Sequence, residues 1–318
     1  EEFVFWHIYD CQHCLRADLA DRFGVSPAPV SRAVALLLDS ELVVGTAAAG
    51  HLGRKPHWLQ VNPKLATLLG LEIDVDRVTA VVTDMSGLLL GRGAAQCDAH
   101  QGLDVVLRAS QEAVCGALAD SGVPRREIRH LGAGHPGDLD LNQGICTFWP
   151  SVRGWRNVPL RSALQEAFEM EVTIDDRSRA LALGERRTSP EDGKHPNAIY
   201  VQVGTGVCMG IFIDGRLYRG ATLAGGEIGN LVIDANGSLY DCSNRGCVES
   251  FATIGSILRY VRESLSAERS SRSEGTQLPD SNDLTIEMIA AAAKRGDPVA
   301  SAALERAANA VGVGVANA

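Results

Sequence analysis

Two glutamates stand in glycine-rich surroundings: Glu227 within Ala224-Gly-Gly-Glu-Ile-Gly-Asn230, and Glu249 at the end of Cys242-Ser-Asn-Arg-Gly-Cys-Val-Glu249. Glycines let backbone approach a ligand closely, and two carboxylates accept hydrogens from the hydroxyls of a polyol. The same pair of side chains could instead be the acid and base of a glycosidase. A second charged group, Asp175-Asp-Arg-Ser-Arg179, lies where a predicted strand runs into a predicted helix. Gly204-Thr-Gly-Val-Cys-Met-Gly210 reads more readily as a β-hairpin turn than as a phosphate cradle, because G-x-G alone is a weak signal. Near the N-terminus, Gly53-Arg-Lys-Pro56 places Arg54 and Lys55 where an extended basic turn could enter a narrow minor groove of DNA. A solvated turn is the alternative for both cations.

The elements that must position these residues follow from periodicity. Leu15, Leu19 and Phe23 recur at helical spacing, and Gly24-Val25 makes a tight turn. Ser26 can cap a second helix with Pro27 in its first turn, and Val30, Val34, Leu37 and Leu38 supply its buried face. This pattern predicts a helix-turn-helix whose second helix presents Ser26, Ala28, Ser31 and Arg32 outward to base edges. Residues 42–61 alternate as a two-stranded wing would. A small helical packing module without a nucleic-acid role is the rival for this region. Cys11-Gln-His-Cys14 is a lone C-x-x-C, read as two positions on a helix face rather than half of a zinc site.

Beyond Asn62-Pro63 the period changes. Residues 71–75 and 78–84 predict a strand hairpin, 102–118 an amphipathic helix, and 130–134 a strand running into Pro136-Gly137. Short helix 162–168, strand 172–175 and helix 179–187 follow. Strands 198–203 and 209–213, the glutamate loop and helix 248–264 make a second set. Two successive hairpin-then-helix units predict two α/β lobes. Residues 264–281, rich in serine, charge and glycine, predict a mobile surface loop.

Glu227, Glu249, Gly226, Gly229, Gly246, Cys242 and Cys247 together resemble the signature of the ROK family (repressors, open reading frames and sugar kinases), G-E-x-G-H then C-x-C-G-x-x-G-C-x-E. Asn230 stands in place of its histidine, Tyr240 in place of its first cysteine and Ser243 in place of a glycine. The resemblance implies an actin-like, ribonuclease-H-type sugar-kinase fold over about residues 65–318, preceded by a winged helix-turn-helix over 1–64. The lobes would span about 65–177 and 178–318, with further strands and a helix expected beyond the last segment. It also implies that Glu227 and Glu249 grip sugar hydroxyls, assisted by Gly137 of Pro136-Gly137-Asp138 and by Ser151, which falls where the family has an asparagine. Family kinases read D-I-G-G-T where this chain has Glu72-Ile-Asp-Val-Asp76, and E-N-D-A-N where it has Asp175-Asp-Arg-Ser-Arg179. Arg177 therefore stands in the position of the general base, with Asp176 beside it, and a guanidinium cannot take a proton. Asp74 and Asp76 would repel a polyphosphate. With two of the four family zinc ligands replaced, at Asn230 and Tyr240, no bound metal or other cofactor is expected.

At 318 residues the chain can hold two domains, one with a sizeable core. Its net charge of -9 argues against indiscriminate binding to nucleic acid, while leaving room for a local DNA-reading surface in a dimer or higher homo-oligomer. No apolar run reaches the ~18 residues of a membrane helix, and the acidic start lacks a basic leader and an initiator methionine, as in a trimmed cytoplasmic product. The expectation is a repressor of carbohydrate metabolism that binds operator DNA and senses a sugar through a catalytically inactive kinase domain; a sugar kinase of the same family is the alternative. Arg177 either meets a phosphate or carboxylate on the effector or pairs with Asp175 or Asp176 and closes the pocket.

Overall fold

Phe3, Trp6 and their neighbours open the chain on a helix that the periodicity from Leu15 onward did not reveal. Helix α1 (Glu2–Cys11) buries Val4 and Ile8, one turn apart. Cys11 ends it, whereas Cys14 lies beyond in a β-bridge to Leu59, so the two cysteines do not share a helix face. Helix α2 (Arg16–Phe23) stops at Gly24, whose left-handed conformation (φ 60°) suits glycine at a helix end. Helix α3 (Pro27–Asp39) starts with Pro at its first turn and buries Val30, Val34 and Leu37. Strands β1 (Val43–Ala47) and β2 (His57–Val61) pair antiparallel, and Leu59 and Val61 close a core with Ile8, Leu19 and Val34.

The computed structural model describes residues 1–47, 57–188, 195–240, 244–271, 278–279 and 283–317, in two compact units, Glu1–Pro196 and Asn197–Ala318. The first unit continues with β3 (Thr67–Ile73), β4 (Arg77–Asp84) and β5 (Leu89–Gln96), then α4 (Leu103–Ser121) and β6 (Ile128–His135). Next come β7 (Asp138–Asp140), β8 (Ile145–Phe148), β9 (Arg156–Val158), α5 (Leu160–Phe168), β10 (Val172–Asp176) and α6 (Arg177–Thr188). The main sheet has the order β10-β6-β3-β4-β5, with β6 parallel to both β3 and β10. Along β4, Val78, Ala80 and Val82 are fully buried at alternate positions, as the period-2 pattern requires. β7, β8 and β9 form a small separate sheet. Neither that sheet nor β5 was expected; β7–β9 are three or four residues long and carry too little alternation to read. Helix α6 begins at Arg177, two residues earlier than expected.

In the second unit β11 (Ala198–Val203), β12 (Val207–Ile213) and β13 (Arg216–Tyr218) form an antiparallel sheet. The helix expected over 248–264 is two helices, α7 (Glu249–Ala252) and α8 (Ile254–Ser271), because Thr253 is extended (ψ 154°). Its hydroxyl also accepts from the Ser256 N–H (3.1 Å), the bond of an N-cap. Helix α8 runs through the first part of the expected loop 264–281: Ile257, Val261 and Leu265 recur every four residues in the core, and the helix continues past them. Of that loop, 272–277 and 280–281 lie outside the described residues. Helices α9 (Ile286–Lys294) and α10 (Pro298–Ala316) complete the unit, capped by Thr285 and Asp297.

Candidate functional site

Three strand ends of the first unit converge on charged residues. Because β3, β6 and β10 run the same way, Asp74 after β3, Pro136-Gly137 after β6, and Asp176-Arg177 at the end of β10 lie at one edge of the sheet. The carboxyl edge of parallel strands is where open α/β sheets bind ligands. Asp176 is buried and caps α6: its Oδ1 accepts from the Ser178 N–H (2.9 Å), the Ser178 hydroxyl and the Arg179 N–H (3.2 Å). Arg177 is 6% exposed and donates to the carboxylate of Asp74, an ion pair spanning 103 residues of sequence. Arg179 is also buried and pairs with Asp175 at 2.8 Å.

The turn between β3 and β4 is folded onto itself. Asp74 Oδ1 accepts from the Val75 N–H (2.8 Å), and the Asp74 N–H donates to the Arg77 carbonyl (2.8 Å). Two backbone donors of this turn, the N–H groups of Asp74 and Val75, are thus engaged within it, with a carboxylate in their midst.

Gly137 is buried, and a Cβ there would lie 2.8 Å from the Phe148 carbonyl oxygen and 3.0 Å from the His135 ring. Close packing therefore requires this glycine. Its N–H donates to His135 Nδ1 (3.0 Å), which fixes the proton on Nε2. That Nε2 is buried without a partner among the described residues. The ring stacks on Trp155 (5.4 Å) and meets the edge of Trp149 (4.5 Å). Burial, with the nearby Arg177 charge, pushes the His135 pKa down to about 3, so the ring is neutral. Ser151 sits in an exposed turn between the buried Trp149 and Trp155, the latter anchored by its indole N–H to the Ala99 carbonyl (3.0 Å).

In the second unit, Glu249 Oε1 accepts from the Val207 N–H at the β11–β12 turn (2.9 Å). One oxygen of this carboxylate therefore braces the glycine turn Gly204-Thr-Gly206. Glu227 is half-buried and precedes a 3-10 turn, Ile228–Asn230, whose last residue is exposed. The glycines around the two glutamates are obligatory. Gly226 has φ 102°, and its Cβ would lie 1.9 Å from the Met209 carbonyl oxygen; Gly246 has φ 61° and would meet Asp234 O at 1.8 Å. Tyr240 Oη lies 3.2 Å from Thr253 Oγ1, which ties the loop to α7–α8. Cys242 lies outside the described residues, and among the described residues no three His, Cys, Asp or Glu side chains cluster as metal ligands.

Ser26, Ala28, Ser31 and Arg32 are all exposed along the first turns of α3, opposite its buried stripe. Arg54 and Lys55 lie outside the described residues. Sequence reasoning missed the ionic partner of Arg177. The two residues depart from the family pattern with opposite charges, but only the strand order, with β6 between β3 and β10, brings them together. His135 was missed as well, because nothing in Gly134-His-Pro-Gly137 announces a ring boxed between two tryptophans.

Residues 69–318 match the ROK family, and the chain belongs to it. It is 31% identical over 265 residues to the xylose repressor of Caldicellulosiruptor bescii, covering 83% of this chain and 65% of that repressor's length. A ROK family glucokinase from Streptomyces griseus, solved with glucose and AMPPNP, superimposes with a TM-score of 0.68 at 26% identity, over 79% of this chain and 78% of that one. A ROK family transcriptional regulator, a homologue of the E. coli MLC protein, shares the fold over 98% of this chain and 78% of its own (TM-score 0.73, 24% identity). The ROK sugar-kinase-like, actin-like fold is thereby established.

Proposed function

We propose that this chain is a sugar-responsive, DNA-binding regulator of transcription, a repressor, whose kinase-like domain has lost phosphoryl transfer. The observation that carries the reading is the Asp74–Arg177 ion pair. By the family resemblance Arg177 stands in the position of the proton acceptor and Asp74 at a glycine of the phosphate loop, and their pairing supports the loss of both roles. In this reading residues 1–64 are a winged helix-turn-helix. Helix α3 enters the major groove with Ser26, Ala28, Ser31 and Arg32, and Arg54 and Lys55 between β1 and β2 reach the minor groove. Two copies read two half-sites, as a cytoplasmic homodimer.

Residues 65–318, in lobes of about 65–177 and 178–318, bind the effector. In the second unit Glu227 and Glu249 accept sugar hydroxyls beside Asn230, and in the first Gly137, Ser151 and Asp176 are the candidate ligand contacts. At the strand ends of the first unit a phosphate or carboxylate would have to displace Asp74 from Arg177, which favours a neutral sugar over an anionic one. Similarity to a xylose repressor makes D-xylose the first sugar to test. Electrophoretic shift with the promoter of the protein's own operon, with and without D-xylose or D-glucose, tests the reading. A specific complex whose midpoint moves with sugar is expected; retardation no stronger than with unrelated DNA overturns it. The family's other activity, ATP-dependent sugar phosphorylation, is the second reading, favoured by the match to the Streptomyces griseus glucokinase. Sugar-dependent ADP release separates the two.

A further inference from the structure

Helix α6 carries an arginine with buried or stacked contacts at each end. At its start, Arg177 is held by Asp74 at the strand-end site, while Asp176 caps the helix and Arg179 is tied to Asp175. Ten residues on, roughly 15 Å along the axis at 1.5 Å per residue, stands Arg187. Its guanidinium lies over the Tyr9 ring of α1, 3.8 Å from the centroid. Its Nη2 donates to the Met85 carbonyl (3.0 Å) and its Nε to the Ser86 carbonyl (3.3 Å), in the turn between β4 and β5. The Arg187 carbonyl in turn accepts from the Gln12 side-chain amide, just past the end of α1. Gly87 (φ 88°) leaves room for this guanidinium; a Cβ there would approach Nε to 3.1 Å. Tyr9 and Met85 pack on the core of the N-terminal helices, and Trp6 meets Tyr9 edge-on at 5.6 Å.

We infer that α6 is a coupling rod between the strand-end site and the N-terminal helices, with Arg187 as its latch on Tyr9 and the 85–87 turn. This inference rests on the reading of the chain as a ligand-responsive regulator, for which it supplies the route. Fixed at Asp74 by one arginine and at Tyr9 by another, the helix passes on any displacement of its first turn, because a hydrogen-bonded helix transmits translation and rotation along its axis with little loss. A planar guanidinium stacked on an aromatic face and bonded to two carbonyls suits a latch better than an ammonium would. Coupling of this kind is shown by perturbing one end and reading the other.

The test needs neither sugar nor DNA, so its outcome is independent of whether the regulator reading holds. Amide hydrogen exchange is compared in the parent, Arg177→Gln, Arg187→Ala and the double variant. Arg177→Gln should speed exchange in α1 and at residues 85–88 by about tenfold, the factor for losing ~1.4 kcal/mol of local stability. Helix α4, in the core of the same unit, reports the global loss of stability in each variant, and the tenfold acceleration of α1 is read as the excess over it. Arg187→Ala should produce the same acceleration in α1, and the double variant should add nothing there. Arg187→Lys, which keeps the charge, should behave like Arg187→Ala. Acceleration confined to residues 72–78 and 172–182 in Arg177→Gln would overturn the proposal. Acceleration that is equal in α1 and α4 would overturn it too, since it would report general loosening of the unit.

Discussion

The β3–β4 turn and the β11–β12 turn occupy corresponding places, each joining the first two antiparallel strands of its sheet, yet they are closed by opposite chemistry. In the first, Asp74 takes the Val75 N–H and the turn is sealed by the Arg177 guanidinium. In the second, glycines persist at 204 and 206, and Glu249 braces the turn through the Val207 N–H. The first unit holds an internal ion pair at its turn. The second keeps, in Gly226 and Gly246, backbone geometry that only glycine satisfies. The difference teaches that the two turns of a kinase-like fold can diverge separately, and in the proposed function it is the first that has shed transfer chemistry.

The comparison breaks first at glycine. Gly226→Ala should destabilise the second unit by about 3 kcal/mol or more, because strain at φ 102° adds to a clash with Met209 O. Denaturant unfolding followed by circular dichroism and by the tyrosine signal, four of whose five residues lie in the second unit, checks this, and an unchanged midpoint would mean that the loop is not held as described. Next comes the ion pair. Arg177→Ala leaves Asp74 partly buried and uncompensated, at a loss of about 3 kcal/mol, whereas Asp74→Ala combined with Arg177→Ala should lose less. A double-mutant cycle with no coupling would show that the pair is incidental.

Two smaller effects sharpen the contrast. Arg32→Ala should weaken specific DNA binding by ~1–3 kcal/mol and leave sugar binding alone, as fluorescence anisotropy and calorimetry can measure. His135 links stability to pH in the first unit only. Its pKa is depressed to about 3 in the folded chain, so below the ordinary histidine value of ~6.5 the unfolded state binds the extra proton and stability falls as pH falls. The slope should be about 1.4 kcal/mol per pH unit between pH 6.5 and 3, added to whatever the carboxylates contribute. His135→Phe should remove that increment, and identical slopes for parent and variant would show that the imidazole is not buried neutral.

Much of the architecture was legible because local periodicity dictates it. The Val30, Val34 and Leu37 stripe, the β3–β4 alternation and the glycine punctuation at Gly24 each follow from neighbouring residues. Helix α1 escaped because its aromatics Phe3 and Trp6 face outward, with relative exposures of 79% and 49%, which blurs the amphipathic stripe. The continuation of α8 escaped because the polar composition of residues 264–271 describes a solvated helix end as well as a loop. The two glutamates in their glycine-rich loop and Arg177 at a strand-to-helix junction were singled out from residue type and spacing. The Asp74–Arg177 pair was not, because strand order rather than sequence distance brings residues 103 apart together.

Sugar-dependent ADP release is the most direct measure of whether the strand-end site has lost phosphoryl transfer. With Mg-ATP and D-glucose or D-xylose in a coupled assay, the rate should equal the no-sugar background, because Arg177 cannot accept the hydroxyl proton and the β3–β4 turn offers no cradle for phosphate. ADP formation that rises with sugar concentration and disappears when sugar is omitted would contradict the account at its centre.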